Sequence, residues 1–169
     1  RANYFRLEAR RLHVATQLQA GTYEIPDNST PRRLLGQFVR GDVKVFKVTL
    51  IEGSTFGEVR DVLSANTKLR ATIADRSAGW VAAQLVPELE HIEGRLFPST
   101  YHFSNGDSDM TIIRRAYARM NDLLAAHWET RAPDLPYNDP VEALIMASII
   151  EKETGQGGER AQISGGFVR

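Results

Sequence analysis

The sequence predicts an α+β fold, a small α/β unit over residues 1–47 followed by a mostly helical region over 48–169. Three observations carry this. Apolar residues recur at helical spacing in several segments opened by Ser, Thr or Asp and closed by Gly or Pro. One stretch, Val43 to Leu50, instead alternates with period two, Phe46, Val48 and Leu50 facing one way and Val45, Lys47 and Thr49 the other. The composition also shifts near residues 45–50, from short α/β segments to longer helices interrupted by a stretch rich in Gly, Pro and aromatics.

Taken in order, Ala2 to about His13 reads as a helix. Gly21 to Ile25 is a short strand expectation, bounded by Gly21 and Pro26. Thr30 caps a second helix with Pro31 in its first turn and Leu34, Leu35, Phe38 and Val39 on the buried face; Gly41 ends it. With Val43 to Leu50 this makes a strand–helix–strand unit. Thr55 and Glu58 have capping-box spacing, and Val59, Val62 and Leu63 are expected to face inward. Ala65 to Gly79 is polar, and Trp80 to Val86 reads as a short helix stopped by Pro87. Ile92 to Phe103 is too rich in Gly, Pro and aromatics for a helix and reads as extended loop or edge strand. Ser108 caps a long helix to about Thr130, with Ile112, Ala116, Met120, Leu123, Leu124 and Trp128 as its apolar stripe. A Pro-containing connector leads to the last well-specified helix, from Pro140 to Thr154, with Asp139 as N-cap and Glu142 at capping-box distance. Gly155, Gly157 and Gly158 break that helix, and another begins near Glu159-Arg160.

Composition removes several classes of function. A chain of 169 residues with 42% apolar and 25% charged residues suits an ordinary globular core. Lys+Arg and Asp+Glu are equal at 21 each, so the basic excess of a nucleic-acid binder is missing. The absence of Cys rules out disulfides and thiolate chemistry without naming a compartment. No apolar run approaches the length of a membrane span, and no signal peptide is present. Arg1 opens straight into a charged helical pattern and Arg169 closes an unfinished one, so both ends are expected to be cuts. His13, His91, His102 and His127 are scattered and form no His-Glu-x-x-His pair, so no metal site is expected. The stretch Gly155 to Gly158 lacks the Lys-Ser/Thr of a phosphate loop, no Gly-x-Ser-x-Gly elbow appears, and no lysine stands out for a pyridoxal Schiff base.

What remains is carboxylate chemistry alongside aromatics, the equipment for carbohydrates. On the last helix, counting about 100° per residue from Leu144 puts Ser148 at about 40° and Glu151 at about 340°, with Glu153 about 200° from Glu151. Leu144, Ser148 and Glu151 therefore share a side, and a carboxylate on an apolar side is costly without a partner or a role. Glu151 and Glu153 cannot form a two-carboxylate hydrolase pair, whose acids stand about 5–10 Å apart across a cleft; a second acid would come from elsewhere, such as Glu93. A single acid that protonates the leaving oxygen and then takes a proton from an intramolecular hydroxyl avoids the requirement. Phe97 and Tyr101 are the aromatic candidates for stacking on sugars, with Glu93 and Ser148 as polar candidates.

These residues resemble the MltG (YceG-like) family of endolytic murein transglycosylases. The resemblance lies in Ala147-Ser148-Ile149-Ile150-Glu151-Lys152-Glu153-Thr154 with Glu159-Arg160, and in Glu93-Gly94 with Phe97-Pro98 and Thr100-Tyr101. Leu18 to Tyr23, Leu50 to Gly53 and Leu135-Pro136-Tyr137 extend it in order. It implies a partial LysM-like subdomain over 1–47, its first strand missing, and a catalytic domain over 48–169 that is incomplete at its C-terminal end. The implied reaction is lytic cleavage within glycan strands of nascent peptidoglycan, between N-acetylmuramic acid and N-acetylglucosamine, leaving 1,6-anhydro ends. Glu151 matches the family's catalytic glutamate. Neither metal nor organic cofactor is implied. The implied partners are peptidoglycan strands and peptidoglycan synthases. The implied location is the bacterial inner membrane, single-pass, with the globular part periplasmic and the anchoring helix absent from this chain. The family's chain continues past Arg169 with a Leu-Gln-Thr-Asp-Pro-like block, Ser99 stands where the family often has Asp, and Gly166 stands where a bulkier apolar residue is usual. The rival readings are a non-catalytic peptidoglycan-binding or scaffolding module and a two-carboxylate hydrolase.

Overall fold

The computed structural model describes residues 2–133 and 135–153, with side chains for 5–133 and 135–152. The glycine break at 155–158 and the helix expected near Glu159 lie outside the described residues. Six helices and one two-stranded antiparallel sheet make an α+β fold among them. In chain order these are α1 (Ala2–Arg11), α2 (Pro31–Arg40), β1 (Val45–Leu50), α3 (Phe56–Ser64), α4 (Ala78–Ala83), β2 (Ser99–Ser104), α5 (Asp109–Glu129) and α6 (Pro140–Glu153). Among the described residues no helix is long and apolar enough to cross a membrane.

The helix starts follow their caps. The side chains of Thr30, Thr55, Ser77 and Ser108 each accept a hydrogen bond from a backbone N–H three residues on, satisfying a donor that the first helical turn leaves open. Thr55 and Glu58 form the full reciprocal box. At the other end of α2, Gly41 takes the left-handed conformation, φ 68°, that a side chain resists. On α6, Asp139 Oδ1 accepts from the N–H groups of Val141 (2.7 Å) and Glu142 (3.0 Å). Glu142 reaches back one residue further than a box requires, to the N–H of Asn138 at 2.7 Å.

The sheet differs from the expected strand–helix–strand unit. Gly21 to Ile25 is not a strand: its backbone makes one bond toward the β1 side, from Lys44 N–H to the Thr22 carbonyl, and Pro26 cannot extend a ladder. The partner of β1 is β2, in a register running from Val45↔Ser104 to Leu50↔Ser99. The stretch expected as edge strand thus supplies half of the sheet. β1 also straddles residue 47, where the shift in composition falls.

Val48, Leu50, Tyr101 and Phe103 point inward from the sheet onto Phe56, Val59 and Leu63 of α3, Val81 and Ala82 of α4, and Ile112, Ile113 and Ala116 of α5. Val62, expected inward, is instead exposed. The polar segment after α3 is pinned by Asp109, the fully buried first residue of α5. Its carboxylate accepts from the N–H groups of Thr72 (2.8 Å) and Ile73 (3.2 Å), from the Thr72 hydroxyl, and from Met110 N–H. This buried charge is offset by four donors rather than by a cation. A separate aromatic set, Phe5, Tyr23 and Phe38, joins α1 to α2.

Candidate active site

Beyond the C-terminal end of β1 and the N-terminal end of β2 lies a cleft of about 770 Å³. Its walls are the Ile51–Thr55 turn, the first turn of α3, the Ile92–Pro98 segment, Met120 of α5, and one face of α6. The α6 residues at the cleft are Val141, Leu144, Ile145, Ala147, Ser148, Glu151 and Lys152, largely one stripe at i, i+3 and i+4 spacing. This is the side that the angular count assigned to Leu144, Ser148 and Glu151. A neighbouring depression of about 370 Å³ shares Glu93, Arg95, Val141 and Ile145 with the cleft and continues it toward Glu88–His91. The two depressions border one another along these shared residues.

Glu151 is half-buried in the cleft wall, and Ser148 lies one turn before it. The Ser148 hydroxyl donates to the Ile145 carbonyl at 2.7 Å, so toward the cleft it offers lone pairs and accepts hydrogen bonds. Opposite, Glu93 receives the Phe56 N–H on both carboxylate oxygens, at 3.2 and 3.1 Å. Phe56 is the first residue of α3, so the Glu93 anion sits where the helix presents open donors and the positive end of its dipole. The same terminus carries Glu58. Hydrogen bonds from the Thr55 N–H and then the Thr55 hydroxyl hold its carboxyl below the usual carboxylate range, and the Lys152 ammonium of α6 acts in the same direction.

The structure brings Glu151, Ser148 and Glu93 together and leaves Phe97 and Tyr101 out of the cleft lining. Tyr101 is only 3% exposed, its ring inside the core and its hydroxyl donating to the Phe97 carbonyl at 2.6 Å. Burial pushes the Tyr101 phenol above its ordinary pKa, with Arg119 and Arg115 acting against the rise. Phe97 lies between Leu96 and Pro98, which both line the cleft, and its own ring lies under Arg119. The period-two pattern of Thr100 to Phe103 was the available signal, since Tyr101 shares its parity with the apolar Phe103. Sequence reasoning passed over Glu52, Ser54, Arg95 and Lys152, which also line the cleft; Lys152 follows Glu151 directly and Arg95 stands two residues after Glu93. Among the described residues no group of three or more His, Asp or Glu could hold a metal ion.

A family model described as the YceG-like family matches residues 1–169. Among solved structures, a YceG-like protein from Listeria monocytogenes is 23% identical, with a TM-score of 0.49 over 95% of this chain. The chain spans 58% of the length of that protein. No curated protein matches.

Proposed function

The chain belongs to the YceG-like family, and from that premise we propose that it is the glycan-cleaving part of a lytic murein transglycosylase with Glu151 as its catalytic acid and base. The observation that carries the proposal is the groove: Glu151 and the acceptor Ser148 stand on one wall, and Glu93 with the α3 terminus stands on the other. In this mechanism the Glu151 carboxyl gives its proton to the glycosidic oxygen as the bond from the muramic acid anomeric carbon breaks. The C6 hydroxyl of the same sugar then attacks that carbon and returns its proton to Glu151. A 1,6-anhydro ring closes, no water is consumed, and the carboxyl is regenerated. Ser148 accepts from a sugar hydroxyl. Glu93, held by the Phe56 N–H, fixes the facing turn and adds negative charge near the cationic sugar of the transition state.

On this reading, residues 1–47 are a partial LysM-like unit and 48–169 the catalytic part. The substrate is nascent peptidoglycan, the partners are peptidoglycan synthases, and the setting is the periplasmic side of the bacterial inner membrane. The test is mass spectrometry of products released from peptidoglycan strands by the full-length protein and by its Glu151→Gln variant. Anhydro ends are expected to fall by about 10²- to 10⁴-fold in the variant, with its melting temperature unchanged. Undiminished anhydro product in the variant removes Glu151 from the mechanism. Reducing ends would mark a two-carboxylate hydrolase, and binding without any cleavage by the unmodified protein would mark a scaffolding module.

A further inference from the structure

Two arginines stand one helical turn apart on α5, each with its guanidinium carbon over an aromatic ring. The Arg119 guanidinium carbon is 4.8 Å from the Phe97 ring centroid, and that of Arg115 is 5.8 Å from the Tyr101 centroid. Arg115 also donates to the His102 carbonyl, and Arg119 to the Ser99 hydroxyl at a long 3.5 Å. Both side chains are exposed. Neither pairs with a carboxylate among the described residues, where the ion pairs are Arg40–Asp42 and Lys44–Glu24. Like charges at i and i+4 repel by a few tenths of a kcal/mol on a helix surface, so this pair is held in place by the rings rather than by counter-charge. Each guanidinium makes one hydrogen bond, to His102 or to Ser99, which leaves most of its five donors to another acceptor.

The position of the pair relates it to the cleft. Leu96 and Pro98 line the cleft, and Phe97 between them turns away to carry Arg119. On α5, Met120 lines the cleft and Arg119 is the residue before it. The Leu96–Pro98 segment therefore borders both the cleft and Arg119.

We propose that Arg115 and Arg119 form a carboxylate-binding subsite that holds an acidic peptide branch of the glycan lying in the cleft. This rests on the glycan-cleaving reading and adds a preference for strands that still bear peptides. Two guanidinium forks one helical turn apart suit planar carboxylates, each through paired N–H···O bonds.

The experiment measures equilibrium binding of fluorescently labelled soluble glycan strands to the full-length protein in the Glu151→Gln background, which avoids turnover. Strands bearing peptides are compared with the same strands stripped by an amidase. Two further variants are added to that background. Arg115→Gln with Arg119→Gln removes both forks; Ser99→Asp keeps both arginines and places a competing carboxylate beside Arg119. Melting temperatures confirm that each is folded, and Ser99→Asp serves if the double variant is not. Peptide-bearing strands are expected to bind about tenfold tighter than stripped ones, and each folded variant to bring that ratio close to one. A ratio near one before the added substitutions, or one that persists in a folded variant, overturns the proposal. Because the readout is binding, a peptide preference retained by a protein that cuts no glycan would defeat the cleavage reading and leave the subsite standing.

Discussion

The sheet-centred core and helix α6 are both rich in apolar residues and use them in opposite ways. In the core, Ile112, Ile113, Ile73 and Val81 are fully buried. Along α6 no described side chain is buried, and Ile145 and Ile149 remain 56% and 39% exposed. A helix that is apolar around much of its surface usually sits inside a core. Here it rests on α5 on one side and turns another face to the cleft. Apolar surface that fills a core stabilises the fold. Apolar surface that lines a groove is left for whatever enters it. The core therefore holds the lips of the site, and α6, which carries Glu151, is anchored by packing on α5 and by its own N-terminal caps.

The largest effect that would test this contrast is a pair of truncations. Ile112→Ala is expected to cost about 2–5 kcal/mol in denaturant unfolding, through lost burial and the cavity left behind. Ile145→Ala, on the exposed cleft wall, is expected to stay within about 0.5 kcal/mol. Equal costs would mean that α6 is part of the core after all. A smaller effect isolates the anchoring of α6. Asp139→Ala removes the acceptor for two N–H groups and is expected to cost about 1 kcal/mol, read as amide exchange about fivefold faster over residues 141–150 while the α5 core amides keep their rates. Uniform acceleration along both helices would show that the two regions open as one unit.

The smallest effect is in pH. Glu58 titrates below the usual carboxylate range because its anion receives the Thr55 donors in the folded state. Its capping contribution is therefore complete above the unfolded carboxylate pKa and is lost as pH falls through the lower, folded value. Backbone opening at the start of α3, read by NMR as amide exchange relative to the intrinsic rate at each pH, should rise through that acid window in the unmodified protein and stay level in Glu58→Gln. A pH-dependent rise that survives in the variant would assign the transition to another carboxyl.

The parts of this structure that were legible in the sequence are those decided within a few residues. Thr30, Thr55, Ser108 and Asp139 cap because a short polar side chain can reach a backbone donor two or three positions on, whatever the rest of the chain does. The side of α6 that meets the cleft follows from the helical repeat alone, and it joins Leu144, Ser148 and Glu151. The pairing of β1 was not legible, because its partner lies about fifty residues away and period-two alternation does not name a neighbour. The strand expected at Gly21 to Ile25 failed for the same reason: strand-forming residues favour an extended segment but do not by themselves supply a paired neighbour. Tyr101 and Phe97 were candidates for the cleft because aromatics suit sugars, but the pleat of β2 turns Tyr101 into the core, and the segment before β2 places Phe97 beneath Arg119. The role of Glu93 as a partner of the α3 terminus also depended on a contact thirty-seven residues away.

The last register pair of the sheet, Leu50↔Ser99, stands where both lips of the cleft begin, one continuing forward from β1 and the other arriving at β2. Hydrogen-bonded strands keep a spacing of about 4.8 Å, so the gauge of the groove at its root is set by backbone geometry and not by the side chains that decorate it. Substitutions along either lip can change what the groove touches there without changing how far apart its lips start. The adjustable dimension is the opposite wall: any widening or narrowing to suit a bulkier or slimmer occupant has to come from the tilt of α6, which makes the junction between α5 and α6 the place where a change in selectivity would be written.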